Sequence, residues 1–189
     1  MRIRLVLSTA AIALLAAMPA FSQQPAGPRA ATPQREMSQQ DMHFMKEAAA
    51  GGLAEVELGK LAQQNAQDDQ VKRFGARMAQ DHGNANTELT ALASGKGMTL
   101  PQQLDAKHAQ LRDRLARLKG AEFDRAYMRE MVRDHDADMK AFRREAQTGA
   151  DPDIKAFAQK TLTVVEQHDK LAHDTTTALT ATGSSHPRR

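Results

Sequence analysis

The chain has 189 residues, 41% of them hydrophobic, enough for one core with flanking segments. It has no Cys, no Trp and one Tyr, which excludes disulfides and thiolate metal ligands, and its wealth of Ala, Gln, Leu, Lys and Arg favours helix over sheet. The formal charge is +3, of which Arg2 and Arg4 supply two; the remaining +1, with no basic face interleaved with aromatics, argues against nucleic acid as a partner.

Residues 1–22 read as a secretory signal. Arg2 and Arg4 form the positive start, and Leu5 to Ala17 is an apolar run too short to span a bilayer. Ala20-Phe21-Ser22 supplies the small residues of a cleavage site after Ser22. No second long apolar run follows, so no integral membrane span is expected after cleavage, and the product is expected outside the cytoplasm. Residues 23–37 are rich in Pro, Gln and Ala and read as a flexible linker.

The helical domain is expected over 38–182. Ser38 caps a first helix from Gln39 to Ala66, whose stripe is Phe44/Met45, Ala48, Gly52, Glu55, Gly59 and Ala62. Gly51, Gly52 and Gly59 weaken a helix interior and imply a close neighbour, either a helix or a ligand. Asp68 or Asp69 caps a second helix to about Ser94, with Val71, Phe74, Met78, Asp81/His82, Ala85, Leu89 and Leu92 on its stripe, ended by Gly95-Lys96-Gly97. A shorter helix follows, from about Gln102 to Leu118. The next runs from Ala121 to Thr148 through Phe123, Tyr127, Met131, His135, Asp138 and Phe142. Asp151 and Pro152 start the last, carrying Ile154, Phe157, Thr161, Val164/Val165, His168, Leu171 and Thr175. Residues 183–189 form a polar tail.

The four long helices read as a bundle, with a tight turn inside the first pair and inside the last pair. The intervening segment, about 25 Å as a helix, is long enough to return the chain to the level where the second helix began. The second and fourth helices of the chain then run parallel. In that register Glu55, His82, His135 and His168 all fall about 18–24 Å from the same end of the bundle at ~1.5 Å per residue. Burying one carboxylate and three imidazoles is costly unless they are paired. Two arrangements satisfy them: a single metal ion with Glu55, His82, His135 and His168 as ligands, or a hydrogen-bonded polar layer that sets register. Neutral imidazole and carboxylate suit Zn, Fe, Mn or Cu.

Asp81 and Asp134 are turned about 100° from their neighbouring histidines. They suit the next layer out, each accepting a proton from an imidazole on another helix; Asp138, one turn past His135, is a further candidate. His43, His108, His173 and His186 lie off the shared level and are expected to be exposed. The methionines at helical spacing read as core filler. No nucleophile elbow, phosphate-binding loop or dinucleotide fingerprint is present, and no catalytic residue is assigned.

Residues 51–62 (Gly-Gly-Leu-Ala-Glu-Val-Glu-Leu-Gly-Lys-Leu-Ala), 74–82 (Phe-Gly-Ala-Arg-Met-Ala-Gln-Asp-His), 123–128 (Phe-Asp-Arg-Ala-Tyr-Met) and 154–162 (Ile-Lys-Ala-Phe-Ala-Gln-Lys-Thr-Leu) together resemble the bacterial family DUF4142, over about Gln39 to Leu179. The resemblance implies an all-α, ferritin-like antiparallel four-helix bundle with a helical crossover. It also implies export in Gram-negative bacteria, to the periplasm or in association with the outer membrane, and no established activity. The wider ferritin-like group often binds two irons through Glu-x-x-His motifs. Here the residues three before each core histidine are Ala79, Val132 and Val165, so a single ion or a metal-free scaffold is expected instead of a di-iron site. Two roles remain open: metal handling or oxidative-stress defence in the envelope, or a non-catalytic module that packs against an envelope partner or a second copy of itself.

Overall fold

The computed structural model describes residues 37–183, and the predicted signal, most of the linker and the polar tail lie outside the described residues. The described residues form five helices and no strand: α1 (Gln39–Asn65), α2 (Asp69–Gly95), α3 (Ala106–Ala116), α4 (Gly120–Thr148) and α5 (Pro152–Gly183). Their ends follow local chemistry. Ser38 and Asp41 form a reciprocal capping box at α1, and the Asp68 side chain accepts from the Gln70 N–H at α2. Gly97, at φ +70°, closes α2: its N–H donates to the Ser94 carbonyl and that of Met98 to the Ala93 carbonyl, the paired bonds of a Schellman turn. Asp151 Oδ1 accepts from the N–H groups of Asp153 and Ile154 at the start of α5.

Both ends of α3 are displaced: it starts at Ala106 where Gln102 was expected and ends at Ala116 where Leu118 was. Asp105 is its cap, accepting from the His108 N–H at 2.8 Å. The preceding Leu100 is buried among Phe142, Ile154 and Phe157, which pins the chain before the helix begins. The 11 residues of α3 rise only about 16 Å; the non-helical stretch before it covers the rest at up to ~3.3 Å per residue.

Three contacts fix the topology. Asp124, near the start of α4, accepts from the backbone N–H groups of Gln67 and Asp68, both at 3.0 Å, so α4 begins beside the α1–α2 turn. At the opposite end Lys96 pairs with Asp151 at 2.7 Å, and the Ala150 N–H donates to Asp41 at 2.9 Å. The α4–α5 turn therefore sits beside the end of α2 and the start of α1. Neighbouring long helices are antiparallel, while α2 and α4 run parallel. The helical crossover is what allows this.

The helices approach closely where glycines permit. A Cβ on Gly75 would lie 2.6 Å from Ala62 Cβ and 2.8 Å from the Gly59 carbonyl, and one on Gly52 would collide with the Asn86 side chain. Gly51 has open space instead.

The core has two apolar clusters. One contains Leu58, Phe74, Met78, Phe123, Tyr127 and Met131; the other contains Phe44, Met45, Leu89, Phe142, Ile154 and Phe157. Each fully buried side chain of this size contributes about 1.5–3 kcal/mol. On every long helix one buried polar residue (Glu55, His82, His135 or His168) falls in sequence between members of the two clusters. The polar groups therefore form one layer across the middle of the bundle.

Candidate metal centre

His82, His135 and His168 converge. Their ring centroids are 5.8 Å (His82–His135), 5.3 Å (His82–His168) and 5.5 Å (His135–His168) apart. One ring nitrogen from each lies within 4.8 Å of the other two. His135 and His168 are completely buried and His82 is 8% exposed.

Hydrogen bonds decide which nitrogens face inward. His135 Nδ1 is 2.9 Å from the Met131 carbonyl one turn back; a carbonyl can only accept, so Nδ1 carries a proton and Nε2 is the nitrogen left out of that bond. His168 Nε2 is 2.9 Å from Asp81 Oδ2 on α2, so Nε2–H donates to the carboxylate and Nδ1 keeps its lone pair. Asp81 is itself held by Arg77 Nε at 3.2 Å. The nitrogens left over, His135 Nε2, His168 Nδ1 and also His82 Nε2, are buried without a hydrogen-bond partner among the protein groups.

Burial keeps two of the rings neutral. It depresses His82 well below the usual imidazole range, reinforced by the neighbouring His135 and His168. It lowers His168 to about 4 against the opposing pull of Asp81. A neutral imidazole offers the lone pair a metal needs. Three nitrogens around one tetrahedral Zn at ~2.1 Å are about 3.4 Å apart, so side-chain rotations of about an ångström would close the cluster around an ion.

Glu55 shares the layer but is not part of the three-nitrogen cluster. Its Oε1 is 4.0 Å from His135 Nδ1, the nitrogen committed to Met131, and its Oε2 has no partner. Burial, then the charge of Asp134, pushes its carboxyl up to about 8. Asp138 is pushed up to about 7, again chiefly by burial. The Tyr127 hydroxyl, also unpartnered, is held well above its usual range by burial and by Glu55. Among the described residues Asp134 has no imidazole hydrogen-bond partner; it lies 3.8 Å from Arg133 Nε. Glu55, Asp134 and Asp138 line a cleft of about 320 Å3 that also touches α1, α3 and α4 residues such as Phe44 and His108. A second cleft, of about 330 Å3 between α2 and α5, is lined by Asp81, His82, Ala85, Thr161, Val164 and His168.

Two features escaped the sequence reading. His108, expected to be exposed, is held by Asp105 at 3.0 Å and lines the first cleft; the capping Asp105 three residues earlier was the available signal. Asp136, Asp169 and His173 form a second, more exposed cluster within ligand range on α4 and α5. The four-residue spacing of Asp169 and His173 hints at it, but Asp136 comes from another helix.

Similar folds occur in solved structures. A DUF305 fragment from Deinococcus radiodurans superposes with a TM-score of 0.66 at 13% identity, covering 75% of this chain and 98% of that one. A DUF305 protein from Streptomyces coelicolor gives 0.62 at 14% identity, covering 71% and 89%. A protein from Bacillus halodurans C-125 gives 0.58 at 10% identity, covering 81% and 94%. These identities speak for the fold alone. No curated protein matches the sequence. No helix among the described residues is long and apolar enough to cross a membrane. Residues 26–175 match the family described as domain of unknown function (DUF4142), and the chain belongs to that family.

Proposed function

We propose that this domain binds one transition-metal ion through His82, His135 and His168, and that it serves metal handling or defence against oxidative stress in the cell envelope, reached through the N-terminal signal. The observation that carries the reading is the convergence of three buried histidines, one nitrogen of each within 4.8 Å of the others, with His82 Nε2, His135 Nε2 and His168 Nδ1 lacking protein partners. A polar layer built only to set register would hydrogen-bond these atoms within itself, because an unmet buried polar group costs about 1–3 kcal/mol. An ion satisfies all three together. Zn, Fe, Mn and Cu suit the donor set. Asp81 fixes the tautomer of His168 as a partner in the outer layer. Glu55, Asp134 and Asp138 line the separate α1–α4 cleft.

The test is metal content. The mature protein, produced by export and purified without a polyhistidine tag, is expected to carry up to one ion per chain by mass spectrometry, and to reach one after reloading. His135→Ala and His168→Ala should lose the ion, and His108→Ala should keep it. A stoichiometry well below one after reloading would sink the proposal and leave the layer as a structural element of a partner-binding module.

A further inference from the structure

The cluster has three nitrogens, and the question is what fills the next coordination position. Structural zinc sites close with four protein ligands, whereas sites that act on exogenous molecules keep three and leave a position open. Around this cluster the candidate fourth ligand is Glu55. Its Oε1 lies 4.0 Å from Nδ1 of His135, a nitrogen that donates to Met131, whereas the unpartnered nitrogen of that ring is Nε2. Glu55 also lies outside the set of groups whose ligand atoms are within 4.8 Å of one another.

The opposite side is different. The α2–α5 cleft of about 330 Å3 is lined directly by His82 and His168, and His82 is the one cluster member with any exposure. A water molecule takes about 30 Å3 of liquid volume, so a small ligand fits easily. Two cross-helix contacts frame the mouth: Arg77 Nη2 donates to Gln167 Oε1 at 3.0 Å, and Lys160 pairs with Glu88 at 2.6 Å. Ala85, Val164 and Thr161 also line this cleft. The Arg77 charge is met by Asp81 and that of Lys160 by Glu88, so the rim neither repels nor traps a small anion.

We infer that the three-histidine cluster is an open site, in which a bound ion keeps a coordination position facing the α2–α5 cleft and takes there a water molecule or a small monoanion. The inference rests on the metal-binding reading above and goes beyond it, since a storage or purely structural ion needs no such position.

Co(II) and azide test it. The apoprotein is titrated with Co(II), whose visible absorption reports coordination number and ligand type, and then with azide. Saturable Co(II) binding with a band that changes on adding azide is the expected result. Val164→Trp, which fills the cleft, should keep the Co(II) stoichiometry and weaken the azide response by about tenfold or more, equivalent to ~1.4 kcal/mol. Ala85→Leu serves as a second obstruction if that variant folds poorly. Glu55→Gln should leave both the Co(II) spectrum and the azide response unchanged. A Co(II) spectrum indifferent to azide, or one altered by Glu55→Gln, overturns the open site in favour of a closed one that includes Glu55. Failure of Co(II) to bind at all overturns the metal reading itself.

Discussion

His168 on α5 donates its Nε2–H to Asp81 on α2 at 2.9 Å, and this bond aims the other nitrogen of the ring into the bundle. Asp81 is adjacent in sequence to His82, but it serves the histidine of the facing helix. Asp81→Asn can hold the ring only weakly and through either amide atom. It is expected to lower metal affinity by about 10–100-fold while the fold is kept. Competition with a chromophoric chelator, alongside circular dichroism, measures both.

The apoprotein should lose stability on acidification through His168. Its folded value is about 4 against an ordinary 6.5, so between these values the unfolded chain binds more protons and stability rises with pH. The contribution is fully present above about 6.5 and withdrawn as pH falls toward 4. Urea unfolding across this range is expected to show a shallower acid limb for His168→Asn, which has no such proton to take up.

Glu55 acts with the opposite sign. Its carboxyl is raised from 4.5 to about 8, so its contribution is complete below about 4.5 and lost as pH rises through 8. Glu55→Gln removes the ionisation while keeping the shape. The variant should gain stability relative to wild type progressively from pH 5 to about 8, read as a rising difference in urea midpoint. A pH-independent difference would show that Glu55 does not carry this proton.

Tyr127 is completely buried and its hydroxyl has no partner. Tyr127→Phe keeps the ring that stacks on Phe123 with centroids 5.5 Å apart and removes an unmet polar atom. It should be neutral or stabilising by up to about 1–3 kcal/mol. Met131→Ala, in the same apolar cluster, should cost about 2–5 kcal/mol. Thermal or urea unfolding distinguishes these signs.

The glycines of α1 and α2 should also separate. Gly75→Ala forces the α1–α2 contact apart at Gly59 and Ala62, with an expected cost of about 1–3 kcal/mol. Gly51→Ala meets nothing and should stabilise by about 0.5–1 kcal/mol through helix propensity. Equal effects at the two positions would contradict the close crossing.

Much of the architecture was legible because it depends on local chemistry. Ser38, Asp68, Gly97 and Pro152 mark helix ends wherever the chain folds, since each meets or removes an orphan backbone group. The α3 start was misplaced because Gln102 and Gln103 carry no strong signal, and the decision fell to Asp105 as cap and to the burial of Leu100. The common level of Glu55, His82, His135 and His168 could be read from helix rise together with the length of the crossover.

By itself, then, the sequence determined the helices, the parallel relation of α2 and α4, and the layer that the four polar residues share. All of these follow from fixed rise, fixed period and chain length. Only the tertiary structure decided what that layer is made of. Helical period assigns a residue to a face, but not the rotamer that turns a particular nitrogen inward. Those choices came from partners distant in sequence or one turn away: Asp81 for His168, the Met131 carbonyl for His135, and the packing that leaves Glu55 outside the three-nitrogen cluster.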